Sequence, residues 1–158
     1  MPEYSKLKMA GMMVLERKIE RAEARILGNT GYPEVFGKAL FTQMPAGGVT
    51  ITVEVIGLPP ESGFLGMHIH ENGVCTTPFN KTGNHYNPTE AAHPMHTGDL
   101  PPLLNNNGYA YLSFYDNRFQ LKEILGKSII VHSRRDDFTS QPAGDSGEKI
   151  GCGVITVM

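Results

Sequence analysis

Alternation of apolar and polar side chains constrains the fold of this chain more than any other feature. Between Val49 and Val55 every second residue is Val or Ile, and the residues between them are Thr or Glu. This period of two is typical of a β-strand that buries one face. The 18 glycines and 11 prolines, with no tryptophan, favour short strands joined by turns over a helical bundle. The sequence therefore predicts an all-β fold.

Other segments of the chain are also predicted to be strands. The other predicted strands are 23–27, 35–43, 63–70, 109–115, 128–132 and 152–157. Two long polar segments, 71–107 and 133–147, separate some of these strands and are predicted to be functional loops, because long structureless loops are usually functional or disordered. About eight strands suffice for a two-sheet sandwich or a closed barrel.

The chain is predicted to form one domain. Its 158 residues are the length of an ordinary domain, and no shift in composition marks a second one. We expect the domain to span 22–158 and to follow an N-terminal extension, 1–21, that is partly helical. The helical expectation comes from apolar residues at steps of three and four, such as Met12, Leu15 and Ile19.

The charge balance gives no reason to expect nucleic acid or a membrane as a partner. The net charge is -2, and no apolar stretch is long enough for a membrane span. The first ten residues lack the apolar core of a secretory signal. We therefore expect a cytoplasmic location, with secretion or the cell envelope as the alternative for a chain truncated at its N-terminus.

The histidines are the main candidates for chemistry, because they lie in the polar loops or on the non-core faces of strands. They are His68, His70, His85, His93, His96 and His132. His68 and His70 face the same side of a predicted strand and can point at one ion. His93, His96 and Asp99 are spaced by three in a loop that can wrap another. Imidazoles suit copper and zinc, and a carboxylate suits zinc better than copper(I), so two metal sites are predicted.

The two cysteines leave two interpretations open. Cys75 and Cys152 are too few for a disulfide framework or a four-thiolate zinc site. They are either buried free thiols or the ends of one long-range disulfide.

Five segments, in order along the chain, resemble the copper/zinc superoxide dismutases, in particular the bacterial type. The segments are GFLGMHIHENGVC (63–75), GNHYNP (83–88), HTGDLP (96–101), VHSRRDD (131–137) and GCGVI (151–155). The resemblance runs from about Glu23 to the C-terminus and implies the family's Greek-key β-sandwich.

The resemblance also implies the ligands of each metal. The implied copper ligands are His68, His70, His85 and His132, and the implied zinc ligands are His85, His93, His96 and Asp99. His85 would then bridge the two ions. Asp136 matches an aspartate that joins a copper-site and a zinc-site histidine, here His68 and His93. Cys75 and Cys152 match the disulfide of the family.

Two features depart from the pattern of the family. Lys149 stands where the family has an arginine, which keeps the positive charge but loses the planar fork. Only Pro94 and Met95 separate His93 from His96, so the zinc loop is short. Anion attraction by Lys149 and binding of zinc are both still expected.

The resemblance implies that copper dismutes superoxide to dioxygen and hydrogen peroxide beside a structural zinc. Catalytic roles are expected for His85, as a proton carrier, and for Lys149. One alternative is a copper-binding or copper-carrier relative without enzyme activity, and another is a zinc hydrolase. A homodimer is one candidate for the oligomeric state, because the family contains dimers and monomers.

Overall fold

A computed structural model of the chain describes residues 19–61 and 63–158. The strands are β1 (Arg21–Gly28), β2 (Phe36–Gln43), β3 (Val49–Ile56), β4 (Gly63–Leu65), β5 (Met67–His70), β6 (Leu103–Asn105), β7 (Ala110–Asp116), β8 (Ser128–His132), β9 (Lys149–Val154) and β10 (Thr156–Val157). The one α-helix among these residues is α1 (Leu121–Ile124). The predicted all-β fold is confirmed. Most of the predicted extension, 1–18, lies outside the described residues, and Arg21 begins β1.

Eight strands form one antiparallel sheet, in the order β5-β8-β9-β1-β2-β3-β7, with β10 paired to β1. A separate ribbon pairs β4 with β6. In β3, the apolar residues predicted to face inward are buried, and the Thr residues and Glu54 between them are half-buried or exposed. They join the larger of two hydrophobic clusters with inward residues of β1, β2, β5 and β8.

The structure corrects three strand predictions. The strand expected at 63–70 divides at Gly66 into β4 and β5, which belong to different sheets. The loop predicted at 71–107 contains β6, in which Asn105 is buried and Leu104 exposed, so its sequence lacks the expected apolar alternation. The strand predicted to begin at Cys152 begins at Lys149. Its start was missed because Lys149 and Gly151 interrupt the apolar pattern.

The fold places an edge strand beside the long loop. β5 lies at one end of the main sheet, and its free edge is covered by the loop that follows it. Ile69 donates its N–H to the carbonyl of Gly98 at 2.8 Å, and Tyr86 donates to the carbonyl of Ile69 at 2.8 Å. The main chain therefore holds two distant parts of the loop against β5.

No helix in the described ranges combines the length and hydropathy required to cross a membrane.

Candidate metal centre

The structure brings the predicted ligands into two groups that share one residue. The first group is His68, His70, His85 and His132, and the second is His85, His93, His96 and Asp99. Within each group the candidate ligand atoms lie within 4.8 Å of one another, and all seven residues are buried. The strands β5 and β8 supply three members of the first group, whereas the second group comes entirely from the long loop.

Backbone carbonyls orient two imidazoles of the first group. His70 donates from Nδ1 to the carbonyl of Gly83 at 2.9 Å, and His132 donates from Nδ1 to the carbonyl of Gly147 at 3.4 Å. Each ring then presents the lone pair of Nε2, and these two nitrogens are 3.4 Å apart. The two rings therefore converge on one point with the atoms that a metal requires.

Asp136 orients one imidazole of each group. Its carboxylate accepts a hydrogen bond from Nε2 of His68 at 2.7 Å and one from Nε2 of His93 at 2.8 Å. Because an ionised carboxylate can only accept hydrogen bonds, both rings carry their proton on Nε2 and are held as the tautomer with a free Nδ1. The pKa of Asp136 is lowered although burial acts to raise it, because hydrogen bonds from His68, the N–H of Phe138 and His93 outweigh burial.

His85 lies between the groups. Its Nδ1 faces the second group, 2.7 Å from Oδ1 of Asp99 and 3.3 Å from Nδ1 of His96. Its Nε2 faces the first group, as the ring stacks on His68 with centroids 3.9 Å apart. One imidazole can thus bind two ions.

Three buried ring nitrogens among the described residues show that the groups suit metal ions. His68 Nδ1, His85 Nε2 and His93 Nδ1 have no hydrogen-bond partner. An orphaned buried nitrogen is costly unless it binds something. Although Nδ1 of His93 is 3.1 Å from Oδ2 of Asp99, the angle is unsuitable for a hydrogen bond. These three atoms are therefore free for coordination.

The spacing within the second group fits a tetrahedral zinc ion. Two ligand atoms bound to such an ion at about 2.0–2.1 Å lie about 3.4 Å apart. Nδ1 of His96 is 3.3 Å from Nδ1 of His85 and 3.3 Å from Oδ2 of Asp99. The carboxylate favours zinc in this group, and the four imidazoles of the other suit copper.

Burial favours the neutral form of four of the imidazoles, which is the form that binds metal. It lowers the pKa of His68 and His96, and it holds the pKa of His70 and His132 well below the usual value. Burial acts to raise the pKa of Asp99, but the hydrogen bond from His85 and the neighbouring histidines lower it overall. The ligand carboxylate is therefore ionised at neutral pH.

An open cavity of about 380 Å³ reaches the first group, and Lys149 lines it beside His70, His85 and His132. Lys149 donates from Nζ to Oγ1 of Thr82 at 2.9 Å and to the carbonyl of Gly83 at 3.1 Å. Burial lowers the pKa of this amine. The side chain places a positive charge beside the ligands that the cavity exposes.

The predicted disulfide is confirmed. Cys75 and Cys152 are bonded, with their Cα atoms 5.6 Å apart. The bond ties the start of the long loop to β9 and excludes the alternative of two free thiols.

Gly144, which permits the position of Asp136, was not predicted from the sequence. A Cβ on Gly144 would lie 2.0 Å from Oδ1 of Asp136, and the residue has a φ of +65°, which favours glycine. The only sequence signal is a glycine in the loop that also contains Asp136, and glycines are common in loops. Two partners of Lys149, Thr82 and Gly83, were also missed, because they lie about 66 residues away in sequence.

Comparison with known proteins identifies relatives over most of the chain. The family described as "Copper/zinc superoxide dismutase (SODC)" matches residues 35–155. A superoxide dismutase [Cu-Zn] of Deinococcus radiodurans is 35% identical over 154 residues, covering 84% of this chain and 82% of the relative. Superoxide dismutase [Cu-Zn] 2 of Aquifex aeolicus is 34% identical, covering 85% of this chain and 86% of the relative.

Two further similarities concern proteins with other names. The human copper chaperone for superoxide dismutase is 32% identical over 147 residues, covering 85% of this chain but only 52% of the chaperone. The crystal structure of the clock protein EA4 superimposes with a TM-score of 0.78 at 28% identity, covering 88% of this chain and 95% of that chain.

Proposed function

The chain belongs to the copper/zinc superoxide dismutase family, and on that basis we propose that it converts two superoxide anions and two protons into dioxygen and hydrogen peroxide. The observation that carries the proposal is the pair of buried ligand groups sharing His85, with an open cavity at the four-imidazole group. When bound, copper supplies a Cu(II)/Cu(I) couple that takes an electron from one superoxide and gives it to the next, while zinc supplies a fixed charge.

His68, His70 and His132 hold the copper position with ring nitrogens whose tautomers are set by Asp136 and by two backbone carbonyls. His70 and His132 also line the cavity, so substrate can approach the site from their side. Of the four candidate copper ligands only His68 does not line the cavity, and its side chain is fully buried.

His85 is placed to carry one of the two protons. Its Nδ1 stays in the group of Asp99, while its Nε2 is buried and has no protein partner. When Nε2 is not engaged as a ligand it holds a proton, and it delivers this proton to the second superoxide as that anion is reduced. The other proton enters through the cavity from solvent.

Lys149 attracts and positions the anion. Its Nζ is fixed by Thr82 and Gly83, so the charge stays at the cavity wall. A lysine offers a point charge where an arginine would offer two parallel donors, so substrate is held by charge more than by orientation.

The test is the decay of superoxide generated by pulse radiolysis, in protein reconstituted with copper and zinc. A zinc-only sample and His132→Ala are the controls, since the first lacks the copper ion and the second lacks one of its four candidate ligands. We expect fast copper-dependent decay that both controls lose. Tight copper binding with slow decay, together with copper transfer to a second protein, would instead support a copper carrier, the function named for the human chaperone relative.

A zinc hydrolase is disfavoured by the second group, because its four protein ligands leave no open position for a water. The homodimer and the cytoplasmic location stay predictions.

A further inference from the structure

Arg118 lies just after β7 and is held in one orientation by Asp116, the last residue of that strand. Its Nε donates to both carboxylate oxygens, at 3.0 and 3.2 Å, and its Nη2 donates to Oδ2. Its own N–H donates to Oδ1 at 2.9 Å. Asp116 is buried, so its carboxylate holds the guanidinium in a fixed position.

The other edge of the same guanidinium reaches the second ligand group. Nη1 donates to the backbone carbonyl of His96 at 3.1 Å, and Nη2 donates to the backbone carbonyl of Asp99. His96 and Asp99 are two of the four candidate zinc ligands. Arg118 therefore holds both ends of the turn from which these two ligands project.

The turn is also held from inside the molecule. Gly98 donates to the carbonyl of Tyr86 at 2.8 Å and accepts from the N–H of Ile69 at 2.8 Å. A Cβ on Gly98 would lie 2.3 Å from the carbonyl oxygen of Ile69, so this contact requires glycine. The inner contacts fix the middle of the turn, whereas Arg118 fixes its two ends.

We propose that Arg118 is a positioning residue for zinc, setting the distance between the ligand atoms of His96 and Asp99 through their carbonyls. The inference rests on the assignment of zinc to this group in the proposed function. Among the described ion pairs Asp116 pairs only with Arg118, so the charge of the guanidinium is balanced locally. Arg118 thus acts through geometry and adds little to the field that attracts superoxide.

The planar arrangement of donors on the guanidinium is the feature that the positioning role requires. A lysine keeps the ion pair with Asp116 but has no planar fork with which to hold two carbonyls and a carboxylate together. Arg118→Lys therefore separates the positioning role from the neutralisation of a buried carboxylate. Arg118→Met removes both and also leaves Asp116 without its partner.

The experiment titrates zinc into copper-loaded, zinc-free protein against a chelator of known zinc affinity. The variants are Arg118→Lys and Arg118→Met, with Arg25→Met as the matched control, because Arg25 is exposed on β1. Residues that orient metal ligands typically contribute about 10–100-fold in metal affinity. We expect a loss in that range for Arg118→Met, a smaller loss for Arg118→Lys, and no change for Arg25→Met.

Two further measurements separate positioning from general destabilisation. Thermal unfolding of metal-free Arg118→Lys should match the parent, and Co(II) bound in place of zinc should show an altered visible spectrum in both Arg118 variants. A zinc affinity within twofold of the parent in both variants, or equal losses of zinc and copper affinity, would overturn the proposal. Neither result depends on dismutation, so a protein that positions zinc through Arg118 but fails to dismute superoxide would contradict only the proposed function.

Discussion

The two halves of the metal centre are built in different ways. The copper half takes His68, His70 and His132 from β5 and the end of β8, where ladder hydrogen bonds already fix the backbone. The zinc half takes all its residues from the long loop. A loop requires added contacts to hold ligands at metal distances, and here they come from outside the loop. The positions of the copper ligands therefore depend on the sheet, whereas the positions of the zinc ligands depend on contacts from residues outside the loop.

Removing one zinc ligand should separate the behaviour of the two halves most clearly. Asp99→Ala should lower zinc affinity at least about 1,000-fold, or about 4 kcal/mol, because three imidazoles and no carboxylate remain. Copper affinity should change less than about tenfold, since the Asp99 carboxylate forms its hydrogen bonds and ion pairs with His85, His93 and His96, of which only His85 is also a copper ligand. Metal content after dialysis against a chelator measures both, with Asp99→Asn as the control that keeps the volume. Parallel loss of copper would show that the halves are not independent.

Removal of the disulfide should affect the zinc half more than the copper half. Cys75 and Cys152 are 77 residues apart, and closing a loop of this size contributes about 4 kcal/mol to stability in the chain-entropy model. Cys75→Ser/Cys152→Ser should lose about that free energy of unfolding in denaturant titrations of the metal-free protein. Its zinc affinity should fall further than its copper affinity. A stability within 1 kcal/mol of the parent would contradict the expectation, and chemically reduced parent protein is the control.

A substitution at Asp136 should weaken the binding of both metals. Asp136→Asn keeps the shape of the side chain but can accept only one of the two imidazole hydrogen bonds. We expect both zinc and copper affinity to fall about 10–100-fold. Competition titrations of each metal measure this, and Asp137→Asn is the control, since the carboxylate of Asp137 bonds only within its own exposed loop. A loss confined to one metal would mean that Asp136 orients only one ring.

Lys149 should have the smallest effect and should leave both ligand groups intact. Lys149→Glu should slow dismutation about tenfold at low salt and make added salt accelerate it; steering of this kind is already attributed to copper/zinc superoxide dismutases. Lys149→Met should give an intermediate rate with little salt dependence. Pulse radiolysis across ionic strength measures both. Unchanged rates at low salt in the glutamate variant would remove Lys149 from the mechanism.

The sequence predicted those parts of the molecule whose side chains carry a signal of their own. Strand β3 was predictable because burial alternates with its side chains, and the ligands because histidine clusters in polar segments are uncommon. The family motifs then divided these ligands between two metals. Each of these signals is local or belongs to a known pattern.

The parts that could not be predicted depend on backbone atoms brought together by folding. Arg118 bonds to the carbonyls of His96 and Asp99, and every residue has a carbonyl, so no residue type marks the contact. The division of the predicted strand at Gly66 depends on the course of two sheets. Gly144 is required by the position of Asp136, which the local sequence does not specify.

The carbonyl of Gly83 accepts hydrogen bonds from both His70 and Lys149. The pKa of His70 is lowered first by burial and by His132, and the charge of Lys149 lowers it further. The cation that draws in the anion is therefore also a direct neighbour of a candidate copper ligand. One oxygen atom thus links the residue that captures the substrate to a ligand that would hold the metal, so a substitution at either residue changes the surroundings of the other.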